Sequence, residues 1–494
     1  MRTGSGWVRL AWVLWPLLVS GCPATEGAPD AATMDTELDA GLDAASAPDA
    51  ARVDDAAILA PDAEDAPGIG GDAGGPTVGD ALMAEGFVLG AAELGVVDIG
   101  DCCATSCSGN NPSSPYLTVR VVRGPGQSEP NPAEGADGLS DQFFLRSDEA
   151  IVLFGTTPPA ARYFGFTPYL MSRRQDDGTR APIFASLSET LNDAVIETVG
   201  GSAFDARAAI VLAADRATAE DARTALERVG YPVNVLTFDP AQVRFGLDAS
   251  ADALGVLVRY AFPESDVRAD EWLAMPRMSA LRISREAPST FDPLPTPPAR
   301  AKDPDARELA LEAAVDRLEA AIRAANVSAS MIRDLTVTDG ALDPVECIAT
   351  PRFCAGDNRD TVYPAAGPFF LGRGDSLWIF GVDHDATDKA TYHSCSLYAL
   401  EHLVGLRAVS SLDWAGSAER LLPDDPDADQ LFAWRFARDC AGDAYCTEIP
   451  VGSCPDGAPL TGALAIAFRA YVEPTSATAP DPATLVRERA LVIR

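Results

Sequence analysis

Between residues 115 and 290, short apolar runs alternate with polar breaks that carry Gly, Pro and Asp, the pattern of strands divided by turns. The runs at 117–123 (LTVRVVR), 150–155 (AIVLFG) and 163–171 predict strands. Another strand is predicted over 209–214. Thr218 then opens a helix, with Asp221 three residues on as in a capping box, that runs to Val229 and stops at Gly230. A strand over 233–238 follows, so strand, helix and strand predict a βαβ crossover. Strands over 254–262 and 280–284, with a short helix between them, complete this half.

The Pro-rich run at 293–298 (PLPTPP) interrupts the pattern and reads as a hinge. Beyond it, Leu311, Val315, Leu318 and Ile322 recur at i, i+4, i+7 and i+11, which predicts a helix over 305–326 with one apolar face. From about 335 the pattern returns to strands and cysteine-bearing loops. The runs at 377–382 and 390–398 read as a hairpin turning at Asp385-Ala386-Thr387-Asp388, and 463–472 reads as a late strand. The fold class is therefore α/β or α+β, with mixed sheets and flanking helices in two subdomains.

The amino terminus follows different rules. Residues 10–19 form a ten-residue apolar run after Arg2 and Arg9, half the ~20 residues that span a bilayer, as in a signal-peptide core. It is followed by Val19-Ser20-Gly21-Cys22, which resembles the lipobox of bacterial lipoproteins. The resemblance covers these 22 residues. It implies cleavage after Gly21, acylation of Cys22 and a lipid anchor in the membrane, stable because more than one acyl chain inserts. Pro23, in place of the Asp that marks inner-membrane retention in enterobacterial members, implies the outer rather than the inner membrane. From Pro23 to Asp80 the chain is Ala, Asp, Pro, Gly and little else, with 14 acidic residues against Arg52 alone. Such a segment has too little apolar surface to offset its ordering entropy and reads as a disordered acidic tether. The predicted organisation is a signal peptide over 1–21, lipidated Cys22 with the tether to 80, and an α/β domain over 81–292. A hinge at 293–303 then leads to a helix and a strand-rich, disulfide-containing domain over 304–494.

Charge narrows the partners. The chain carries 73 acidic and 38 basic residues, a formal net charge of −35, and only Lys302 and Lys389 as lysines. That balance excludes nucleic acid, whose affinity comes from cations on phosphates. Protein or glycan remains as the partner class. Beyond Cys22 stand nine cysteines, an odd number that fits four disulfides and one thiol in an oxidising compartment. Short loops favour Cys347–Cys354 and Cys440–Cys446, with Cys107 pairing either Cys102 or Cys103. The triplet Cys102, Cys103 and Cys107 also offers a metal-thiolate alternative, without the CxxC knuckle of structural zinc sites.

All three histidines, His384, His393 and His402, fall within nineteen residues. A metal site of His384, His393 and Asp383, holding Zn or Ca, is the sharp reading. The hairpin register opposes it: with the turn at Ala386–Thr387, the first two histidines stand about 10 Å apart along the ladder. Ligands of one metal lie within about 4 Å of each other. The expectation is therefore no cofactor, with packed histidines. Asp425, Asp427 and Asp429 imitate the start of an EF-hand loop, but Gln430 replaces its glycine and Phe436 its bidentate glutamate. Gly356-Asp357-Asn358-Arg359-Asp360 resembles a box of type I signal peptidases without their Ser and Lys pair, and reads as a turn held by its own side chains. No G-x-S-x-G, S-x-x-K, H-E-x-x-H or phosphate-binding glycine loop occurs. These signs favour a cell-envelope lipoprotein that binds or assembles, leaning away from an enzyme; the alternative is a lipid-anchored extracytoplasmic hydrolase.

Overall fold

In the computed structural model, residues 76–97, 100–104, 106–107, 109–340 and 342–494 are described. The signal peptide, Cys22 and nearly all of the tether lie outside them. The first half builds one mixed sheet from β1 (Val88–Val96), β2 (Tyr116–Val121), β3 (Ala150–Thr156), β4 (Ala161–Arg174), β5 (Arg180–Ser186), β6 (Leu191–Asn192), β7 (Arg207–Ala213), β8 (Val233–Thr237), β9 (Ala253–Pro263) and β10 (Met278–Ser284). Their order is β5-β4-β9-β2-β1-β10-β3-β7-β8, with β6 paired to β4. Only β7 and β8 run parallel here, joined by the helix Arg216–Arg228, which is the βαβ unit the apolar pattern predicts. That helix starts earlier than expected: Asp215, not Thr218, is its cap, accepting the Thr218 N–H. A carboxylate there satisfies an otherwise orphaned donor and sits against the positive end of the helix.

The second half forms two further sheets. Its strands are β11 (Ile332–Leu335), β12 (Thr338–Asp339), β13 (Thr361–Val362), β14 (Pro364–Phe369), β15 (Ser376–Val382), β16 (Tyr392–Ala399), β17 (Val404–Ser410), β18 (Leu431–Ala437), β19 (Cys446–Glu448), β20 (Leu464–Tyr471) and β21 (Arg489–Ile493). Five of them order as β11-β21-β15-β18-β19 and six as β12-β14-β20-β16-β17, with β13 on β20. The two sheets face each other across a core that includes Leu377, Phe432 and Val492 from one, and Leu397, Ile466 and Phe468 from the other. The helix Glu312–Ala325 covers the outer face of the five-stranded sheet with Val315, Leu318 and Ile322, as its periodicity requires. Its expected first turn is a 3-10 turn, Arg307–Leu311. The remaining face of the six-stranded sheet meets the large sheet through Tyr392 and Tyr471 against Tyr163 and Ala261. The class is α+β, mostly sheet.

Three expectations need correction. Residues 77–80 end the tether in the sequence reading, yet Thr77 caps the helix Val78–Ala84, with Thr77 and Asp80 exchanging hydrogen bonds of 3.1 and 3.0 Å. Buried Val78 and Leu82 hold that helix against the large sheet. The Pro-rich hinge is docked, since Leu294 N–H bonds the Ala214 carbonyl and Arg300 bonds Glu189 and the Thr190 carbonyl. The hairpin at 385–388 does not form. β15 already pairs on both edges with β18 and β21, and β16 with β20 and β17, so no ladder edge is left between them. Residues 383–391 are instead a crossover from one sheet to the other.

The disulfides are Cys102–Cys107, Cys103–Cys454, Cys347–Cys354 and Cys440–Cys446, and buried Cys395 is the free thiol among the described residues. Such pairing belongs to an oxidising compartment. Among the described residues, no helix is long and apolar enough to cross a membrane. Cys103–Cys454 spans 351 residues and ties the segment before β2 to the second half. A cross-link of that length contributes up to about 5 kcal/mol by restricting the unfolded chain. Non-reducing peptide mapping should recover these four pairs. Alkylation should reach Cys395 only after denaturation, and modification of Cys395 in the native protein would contradict its burial.

Candidate functional site

Two polar centres lie on opposite faces of the six-stranded sheet. The first is a cavity of about 290 Å³ between that sheet and the large one, lined by Tyr116, Asp141, Arg259, Tyr363, Arg469 and Tyr471 among others. Arg259 stands alone in the apolar run of β9, and Arg469 likewise in β20. Strand alternation turns both toward the gap between the sheets, where each is about 5% exposed or less. Arg259 donates to the Tyr169 hydroxyl and the Gly356 carbonyl, both at 2.8 Å. Arg469 donates to Ser396 Oγ at 2.9 Å and to the Tyr398 hydroxyl.

A guanidinium has five N–H donors, so these bonds leave several free on each. Among the described residues no carboxylate, Asp141 included, comes within ion-pair distance of either arginine, although buried Asp357 feels the charge of Arg259. Aromatic faces supply partial compensation: Arg259 lies 5.7 Å from the centroids of Tyr116 and Tyr169, and Arg469 lies 5.8 Å from those of Tyr363 and Tyr398. Each such contact is worth roughly 0.5–2 kcal/mol, against several kcal/mol for burying a charge without its counter-ion. Burial also pushes the Tyr363 hydroxyl well above its usual range and raises that of Tyr471, so both stay neutral donors. The cavity is positively charged, aromatic and rich in donors.

The second centre lies where the two smaller sheets face each other. The 383–391 crossover brings the rings of His384 and His393 to a centroid distance of 4.3 Å. Both Nε2 atoms point at one oxygen, Glu488 Oε1, at 3.3 Å and 2.9 Å. On its other side, His384 Nδ1 meets Glu308 Oε2 at 3.0 Å. Glu308 is held by the Thr387 hydroxyl at 2.9 Å and the Val486 N–H at 2.7 Å. None of the four side chains is more than 2% exposed. Burial alone would lower the His384 pKa, but the two carboxylates outweigh it and hold it up to about 10. Burial and the adjacent His384 keep His393 below its usual value. Burial would raise Glu488, yet the two imidazoles bring it well below the carboxylate range.

The structure thus brings His384 and His393 together, against the hairpin geometry, but with Glu488 rather than Asp383. Asp383 Oδ1 stands 3.9 Å from His393 Nδ1, on the ring's far side. His402 is elsewhere, beside Glu401. Cys102, Cys103 and Cys107 are all in disulfides, which removes the thiolate alternative. Asp425 and Asp427 are occupied by Arg317 at 2.5 and 2.9 Å, so the acidic loop is ion-paired. The 356–360 segment is more than a self-contained turn. Asp357 accepts from Ser186 N–H and Oγ, Asn358 and Asp360 both meet the Tyr163 hydroxyl, and the Gly356 carbonyl takes Arg259.

Sequence reasoning missed Glu488, Glu308, Arg259 and Arg469. The available signal for the arginines was a single charge inside a wholly apolar strand run, LVRYAF and AFRAYV.

No family model and no curated protein sequence matches this chain. A crystal structure of an uncharacterised protein from Burkholderia cenocepacia is similar at 15% identity, with a TM-score of 0.38 over 84% of this chain and 86% of that one.

Asp360, fully buried between Tyr163 and Arg300, is pushed up to about 7, chiefly by burial. A carboxyl raised in the folded state gives stability that is full below its unfolded value and is lost as pH rises to the folded one. Urea unfolding should therefore show Asp360→Asn gaining on the parent between about pH 4 and pH 7, by on the order of 1–4 kcal/mol, with no further gain above. A pH-independent difference would contradict the raised value.

Proposed function

We propose that this protein is an exported envelope lipoprotein, anchored through Cys22, that binds a small organic anion in the cavity between its sheets. The observation that carries the binding reading is the pair of buried arginines, Arg259 and Arg469, lining one cavity without a carboxylate partner. A planar guanidinium matches the two oxygens of a carboxylate or phosphate, and two of them offer more than one such contact. Tyr116, Tyr363 and Tyr471 add faces against which the apolar or ring portion of a ligand packs. Such a lining holds a ligand by charge, donors and aromatic contact, which supports binding over hydrolysis. The volume suits a molecule near the small end of the usual ligand range.

The lipobox at Val19-Ser20-Gly21-Cys22 and the four disulfides support the address. A segment of the composition read before Thr77 would, as a flexible chain, reach roughly 40 Å before charge repulsion extends it, enough to hold the cavity clear of the headgroups.

Native mass spectrometry of the protein extracted from its own envelope should show an anionic adduct of small-molecule mass. Arg259→Gln and Arg469→Gln should each weaken that complex about 10- to 100-fold, the worth of one charge-assisted contact. Retention of the adduct by the double variant would refute the site. Separately, Cys22→Ala should release the protein from membranes and abolish acyl labelling, and continued membrane retention would sink the anchor.

A further inference from the structure

The buried cluster between the smaller sheets has a charge that its protein partners do not balance. Glu308 and Glu488 are 1% and 2% exposed, and among the described residues neither forms an ion pair with an arginine or lysine. The neighbouring cations are spent elsewhere, Lys389 on Glu473 and Arg162 on Asp385. Two carboxylates with two neutral imidazoles carry a charge of −2, which one divalent cation would bring to zero.

We propose that His384 Nε2, His393 Nε2 and Glu488 Oε1 bind a divalent transition metal of the zinc class. The three atoms lie within 4.8 Å of one another. The two N···O separations, 3.3 and 2.9 Å, subtend about 107° and about 90° at a metal roughly 2.05 Å from each atom, the first close to the tetrahedral angle and the second compressed below it. On the His384 side the outer group is the kind such a site requires. Glu308 takes the His384 Nδ1–H, which fixes the tautomer that leaves Nε2 free, and is itself held by Thr387 and Val486. His393 Nδ1 accepts the His384 backbone N–H at 3.5 Å, and Asp383 Oδ1 stands 3.9 Å from it, so Asp383, expected as a ligand, lies beside the ring without a hydrogen bond to it. Two imidazoles with one carboxylate suit zinc rather than calcium, which takes six to eight oxygens. Loading releases the proton that bridges His384 and Glu488.

The ligands join the crossover, β16 and the residue before β21, so the metal ties together both sheets of the sandwich. This is independent of the anion cavity, which His384, His393 and Glu488 do not line.

The test uses the full chain, extracted in detergent from an oxidising compartment without a metal-affinity tag. After chelator treatment it is dialysed against zinc, and in parallel against cobalt(II). The expected result is one zinc per chain that survives desalting, and visible cobalt absorption of a four-coordinate nitrogen and oxygen site. Glu488→Gln should lose at least a hundredfold in zinc affinity. Glu308→Gln, which keeps all three ligands, should lose 10- to 100-fold, as outer-shell partners do. Zinc held equally well by folded Glu488→Gln would overturn the assignment. So would parent protein that retains neither zinc nor a cobalt band, a result that does not depend on any variant folding.

Discussion

The six-stranded sheet is buried on both faces, and the alternation of side chains along β16 and β20 decides what each face can do. On β16, Tyr392, Ser396 and Tyr398 turn toward the large sheet, while His393, Cys395 and Leu397 turn into the sandwich core. On β20, Arg469 and Tyr471 share the first face, and Ile466 and Phe468 the second. A slip of one residue in this pairing would place a guanidinium in the hydrocarbon core and a histidine against the tyrosines. Eight register pairs between β16 and β20, from Tyr392 with Tyr471 to Ala399 with Leu464, hold it in place. The stacked rings of Tyr392 and Tyr471, 4.7 Å apart at 15°, close one end.

The two faces have opposite electrostatic needs. Toward the large sheet stand two buried cations that form no ion pair; toward the five-stranded sheet stand two buried carboxylates against two imidazoles. Each imbalance is expensive in a low dielectric, and the sheet between the faces keeps their groups from forming ion pairs with one another. Cys395 shows the opposed fields: burial holds its thiol well above the ordinary range, with Glu488 pushing it further up and Arg469 pulling it down. A charge that protein groups leave uncompensated is where an external ion or ligand gains most on binding. That physical argument links the anion cavity and the metal cluster while leaving each to its own observation.

The parts of the fold legible in the sequence are those written in local period. Leu311, Val315, Leu318 and Ile322 announced their helix, and the run from 209 to 238 its crossover, because both patterns close within about thirty residues. The crossover at 383–391 was not legible. Both β15 and β16 are buried throughout, so neither shows the alternation that would assign it to a sheet. Asp385-Ala386-Thr387-Asp388 has the composition of a hairpin turn, and only the pairing of β15 with β21, more than a hundred residues on, forbids one. The histidine cluster inherited that ambiguity. Its clustering in sequence was visible, but the deciding ligand, Glu488, sits 95 residues from His393. The cavity arginines, 210 positions apart, became a pair only when two sheets from different halves docked.

That docking gives the cavity a consequence for the whole molecule. Its walls come from both halves: Arg259 and Tyr116 belong to the large sheet, Arg469 and Tyr471 to the six-stranded one. The segment at 356–360 bridges them, its Gly356 carbonyl on Arg259 and its Asp357 on Ser186. The Cys103–Cys454 bond ties the chain entering β2 to the loop before β20. An anion held by both guanidiniums would therefore be a further link between the halves. Its binding free energy would appear as stability of their interface, about 2.7 kcal/mol at a ligand concentration a hundred times its dissociation constant. It would also relieve the mutual repulsion of two buried cations facing one space. On the proposed reading, ligand affinity and the docking of the two halves would therefore be thermodynamically linked.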